Sequence, residues 1–157
     1  MVPGAPGRLA GAVYGTILVT ALIAAYSEYE GTSSSELLLA VVTTSIVLWL
    51  AHVYARAVSQ RMESPATRGL FLAAMRHERP IVEAAVLPAV ILALSALGAY
   101  GVTTATDLAI GVGVAALFGW GYAIGAREGR SVPGCLLSGV VNATFGLVLV
   151  GLKTVVH

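Results

Sequence analysis

Five apolar stretches, at approximately 8–27, 35–61, 80–100, 105–126 and 133–156, fill most of this 157-residue chain. Each is about as long as the roughly 20 helical residues needed to cross a hydrocarbon core of about 30 Å. Inside lipid no water is available to satisfy backbone groups, so such stretches are restricted to helices that bond their own amides. Composition points the same way, with 57% apolar and 11% charged residues and a mean hydropathy of +0.87, outside the range of soluble domains. The expected architecture is all-α: a polytopic membrane protein with a single transmembrane domain over 1–157, five transmembrane helices and a short cytoplasmic interfacial helix at about 65–78.

The connections are too short for a separate domain. "SEYEGTSSSE" offers Ser34 or Ser35 as N-cap of the second span. "GAYGVTTATD" places Asp107 near the positive end of the fourth helix. "EGRSVPG" puts Pro133 in the first turn of the fifth. The opening apolar run is longer than the core of a secretory signal and is read as a span.

With five crossings, all eight arginines fall on one side: Arg8, Arg56, Arg61, Arg68, Arg76, Arg79, Arg127 and Arg130. The other side receives Glu28, Glu30, Glu36 and Asp107, with Lys153 its one basic residue. The positive-inside rule then predicts a cytoplasmic N-terminus and an external C-terminus in a cell membrane. Arginine rich and lysine poor, with abundant Ala, Gly and Val, the chain suggests GC-rich coding and a prokaryotic source. A net charge of +1 without a dense basic run gives no footprint for nucleic acid. The single cysteine, Cys135, excludes an intramolecular disulfide and reads as an apolar filler.

"SPATRGLFLAAMRHER" opens with a Ser64 cap and Pro65, then sets Leu70, Phe71, Ala74 and Met75 on one face and Arg68, Arg76 and Arg79 on others. That pattern predicts a helix lying on the cytoplasmic leaflet. Gly7, Gly11 and Gly15, and again Gly121 and Gly125, recur at four-residue spacing, which predicts close helix approach within or between subunits. The expected partners are the lipid bilayer and further copies of the chain, with a homodimer favoured.

Polar residues inside the spans are the candidate site. His52 lies fifteen residues past Leu37, about 22 Å into a core of about 30 Å. Ser45, Trp49, His52, Arg56 and Ser59 share one helical face. Glu83, one turn after Pro80, reads as the carboxylate at matching depth, so a His52–Glu83 or Arg56–Glu83 contact is expected, either as packing or as a working site. Pro88 interrupts the third span and frees carbonyls. Asn142 falls near the midplane of the fifth span with Ser138 one turn away, as helix glue or as pathway lining.

Topology and two short patches resemble the vacuolar iron transporter family. "AHVYARAVSQR" is similar to that family's second span at Ala51, Tyr54, Ser59, Gln60 and Arg61, and "GAVYGTILVT" to its first span at Tyr14 and Gly15. The resemblance implies a dimer with a path along the first spans. However, the family's first-span aspartate would fall near Leu18 and its second-span glutamate at Val53, and its carboxylate-rich cytoplasmic domain has no counterpart. A divalent cation needs three or more oxygen or nitrogen ligands. If the fold is shared, the iron site is not, and no metal or other cofactor is expected.

The function expected is a small homo-oligomeric transporter or channel for a small ion, a proton or divalent cation, with polar residues His52, Arg56, Glu83, Asn142 and Ser138 along its path. The alternative is an accessory or assembly protein whose polar residues only fix packing. No nucleophile, metal set or phosphate loop supports catalysis. "GVGVAALFGWG" lies inside an apolar span.

Overall fold

The computed structural model describes residues 5–27, 29, 31–63 and 69–155. Five helices follow in order: α1 (Ala5–Ser27), α2 (Ser34–Glu63), α3 (Leu70–Ala96), α4 (Val102–Arg127) and α5 (Val132–Val155). α1 to α4 each carry a stretch long and apolar enough to cross a membrane; among the described residues the apolar stretch of α5 is Val132–Val148.

α1 occupies the centre and touches all four other helices. Its sequence permits this, because Ala12, Gly15, Thr16, Thr20, Ala21, Ala24 and Ala25 are small and all buried. Small side chains let neighbouring backbones come close, and in lipid such packing takes over much of what the hydrophobic effect does in water. α3 runs parallel to α1, with Gly11 against Pro80 and Ile81 and Gly15 against Ile81 and Ala84. α5 runs antiparallel to α4: Gly121 faces Ser138, Gly139 and Asn142, and Gly125 faces Cys135. The four-residue glycine spacing is therefore spent within the chain at Gly11, Gly15, Gly121 and Gly125; the contacts of Gly7 lie outside those described. Larger apolar residues of α2 and α5, such as Leu39, Val47, Leu137 and Phe145, point outward.

The helix ends have local causes. Ser33, not Ser34 or Ser35, caps α2: its hydroxyl accepts from the Glu36 amide at 3.2 Å, and the Glu36 carboxylate accepts from the Ser33 amide at 2.9 Å. This reciprocal box needs a Glu three residues after the cap, and only Ser33 has one. Ser34 is instead buried and shares a 2.7 Å hydrogen bond with Ser95, whose hydroxyl donates to the Tyr100 carbonyl. α3 and α4 both end on a glycine with positive φ, Gly98 at 87° and Gly129 at 70°. The amide after each reaches back five residues, Ala99 to Leu94 and Arg130 to Gly125, closing helix-end carbonyls that would otherwise lack donors.

The interfacial helix expected at 65–78 does not form a separate element. Its cap and first turn, Ser64 to Arg68, lie outside the described residues, and from Leu70 onward it is the beginning of α3, which continues through Pro80 and Pro88 to Ala96. A proline removes one backbone bond and crowds the preceding turn, so a helix carries one only where tertiary contacts hold both sides. Here Trp49 Nε1 donates to the Met75 carbonyl at 3.4 Å, and Glu78 pairs with Arg56. The residues ahead of Pro80 are thereby fixed along α2.

Candidate functional site

The polar residues singled out by sequence are distributed over three places. The first is the face of α2 that meets α1 and α3. His52 is half-buried; its Nδ1–H donates to the Leu48 carbonyl at 2.9 Å, and its ring lies 5.2 Å from that of Tyr14. Ser45 is buried and donates to the Val41 carbonyl at 2.7 Å. Arg56 forms an ion pair with Glu78, not with Glu83. Glu78 escapes sequence reasoning because a third span that starts at Pro80 leaves this carboxylate outside the membrane. Once α3 begins at Leu70, Glu78 lies within the helix, and its side chain is only 7% exposed. Gln60 Oε1 and His77 Nε2, on the same two helices, are buried without a hydrogen-bond partner.

The second place is the α4–α5 interface. Asn142 Nδ2 donates to the Leu117 carbonyl at 2.6 Å, and Ser138 packs against Gly121 and Gly125. The Asn142 amide thus finds its partner across two helices, as a polar group in lipid must.

The third place is a cavity of about 510 Å³ bounded by α1, α3 and α4. Leu9, Ala12, Thr16 and Thr20 line it from α1, and Pro80, Glu83, Ala84, Leu87 and Pro88 from α3. α4 contributes Val112, Gly113, Ala116, Trp120 and Arg127, which recur on one helical face. From Leu9 to Thr20 the cavity follows α1 for about 16 Å at the helical rise per residue. Both prolines of α3 face it, and a proline presents no amide to the wall. Glu83 is half exposed and pairs with Arg79 at 2.7 Å. Thr16 and Thr20 turn their hydroxyls to their own helix, donating to the carbonyls of Ala12 at 2.8 Å and Thr16 at 2.7 Å. A Cβ on Gly113 would run into the Thr20 side chain, so α1 and α4 are in close contact at these two lining residues.

His52, Arg56, Asn142 and Ser138 do not line this cavity, and Glu83 is the one sequence candidate that does. The expected His52–Glu83 or Arg56–Glu83 contact is replaced by separate pairs, Arg56–Glu78 and Arg79–Glu83. No three His, Cys, Asp or Glu side chains among the described residues come together as a metal site. Val53, where the iron transporters' glutamate would stand, is fully buried. Comparison with family models, with curated proteins and with solved structures finds no match.

Proposed function

We propose that this chain is a small multi-pass membrane transport protein, working as a homo-oligomer, whose substrate enters the cavity between α1, α3 and α4. The arginine-bearing end is cytoplasmic and α5 completes a fifth crossing, in keeping with the positive-inside rule. The observation that carries this reading is the cavity itself. It runs from Leu9 and Arg127 past Pro80 and Glu83 and follows α1 for about three helical turns.

Glu83 is the titratable group on the cavity wall, so a proton is the ion to test first. A divalent cation would meet one carboxylate with two arginines nearby, a poor donor set for a hard cation. The topology and short patches similar to the vacuolar iron transporters add a dimer to the reading, but not iron. The second reading, an accessory protein, is favoured by one observation: His52 and Asn142 each bond a carbonyl and contact a neighbouring helix.

Proton flux into liposomes holding the purified protein separates the two. Transport predicts flux above empty liposomes that is lost in Glu83→Gln and retained in His52→Ala. Flux lost in His52→Ala and kept in Glu83→Gln would move the path to α2. No flux in the wild type would leave the accessory reading for protons.

A further inference from the structure

We propose that the cavity between α1, α3 and α4 binds one alkyl chain of an anionic amphiphile, with Arg127 holding its head group and the apolar wall holding that chain. The inference rests on the same cavity as the transport reading and names the organic ligand it would take, but its test does not depend on flux.

The charges along the cavity do not cancel. Glu83 is neutralised by Arg79, whereas Arg127 is exposed and has no carboxylate partner among the described residues. A guanidinium presents a planar fork of donors that matches a carboxylate or a phosphate. Trp120, two helical turns further in on the same face, is the amphipathic aromatic expected where head group gives way to chain.

Apart from Glu83, already paired with Arg79, the rest of the cavity offers almost nothing polar. Ala12, Ala84, Leu87, Val112 and Ala116 are apolar, the two prolines lack amides, and the hydroxyls of Thr16 and Thr20 are already committed to backbone carbonyls. Such a wall suits an alkyl chain, because burying methylenes against apolar surface is favourable. A volume of about 510 Å³ lies within the range of small-molecule sites. The approach of about 16 Å along α1 suits a medium-length chain laid parallel to the helices. A free fatty acid and an anionic phospholipid both offer this chemistry.

The chain has two tryptophans, so Trp49→Phe leaves Trp120 as its one indole, inside the cavity. In this background, in phosphatidylcholine nanodiscs, Trp120 fluorescence is followed while dodecanoate brominated at its last carbon is added. The proposal expects a saturable quenching component. It should be about tenfold or more weaker in Arg127→Gln, as for loss of a charge-assisted hydrogen bond. It should vanish in Ala116→Phe, which fills the cavity without touching Arg127. Quenching that rises linearly with concentration, or is equal for wild type and both variants, or is matched by brominated dodecanol, overturns the proposal. Nanodiscs doped with brominated phosphatidylglycerol form the second arm. Saturable quenching there, competed by phosphatidylglycerol but not by dodecanoate, supports the site with a bilayer lipid as occupant. The opposite competition supports it with a free acid. Saturable binding without proton flux keeps the ligand site and removes proton transport; proton flux without saturable binding does the reverse.

Discussion

Gly121→Ala is expected to be the most damaging small substitution in the bundle. The added methyl would stand 2.5 Å from the Ser138 carbonyl oxygen, 2.7 Å from Asn142 Cβ and 2.9 Å from Gly139 Cα. Two of these are backbone atoms, so no rotamer change relieves the crowding, and α5 must move away from α4. Overpacking typically costs about 1–3 kcal/mol, and a site walled by backbone belongs at the upper end. The displacement would also stretch the Asn142–Leu117 hydrogen bond, which spans the same two helices. A matched control is Gly119→Ala, two residues earlier, where nothing lies within 4 Å of the added atom. There the change should be neutral, or stabilising by up to about 1 kcal/mol through helix propensity. Unfolding in mixed micelles at increasing denaturing detergent would read both. Equal midpoints for the two variants would refute the close α4–α5 approach.

Arg56→Gln is the second large effect, and it should exceed Glu78→Gln. The two side chains are unequally buried: Arg56 is 35% exposed and Glu78 is 7% exposed. Removing Arg56 leaves a buried carboxylate uncompensated, for which about 3–5 kcal/mol is typical. Removing the Glu78 charge leaves an arginine whose long stem can carry its head group toward water, so the cost is much smaller. The double variant Arg56→Gln/Glu78→Gln should recover most of the loss, since two neutral amides can bond each other where one charge could not be hydrated. A double-mutant cycle on the same unfolding transition measures this. Equal costs for the two single variants, or no recovery in the double, would mean that the ion pair is solvated.

The apolar lengths that set the expected spans reappear in α1 to α4, because a long stretch of Ala, Leu, Val and Ile has few alternatives in lipid. What sequence could not settle was where a helix begins when a proline lies near its start. Pro80 resembles a first-turn proline, and only the tertiary contacts of Trp49 and Arg56 with Met75 and Glu78 reveal that α3 extends ahead of it. That single displacement moved the partner of Arg56 from Glu83 to Glu78. His52 illustrates a different limit. Its place on a helical face of α2 was legible from the spacing, but its bond to Leu48 and its contact with Tyr14 depend on rotamer and on the central position of α1. The cavity was invisible for the same reason. Its wall comes from three helices whose mutual approach is set by small residues, and no short motif encodes where Gly113, Pro88 and Thr20 converge.

The most direct measurement on the central claim is proton flux into liposomes holding Ala116→Phe, beside wild type, with both reconstituted at equal density and shown to melt alike. Ala116 lies on the cavity wall between Gly113 and Trp120, and a phenyl ring there occupies the space without altering a charge. A path through this cavity predicts wild-type flux above the empty-liposome rate and none above it in the variant. Undiminished flux through Ala116→Phe would contradict it.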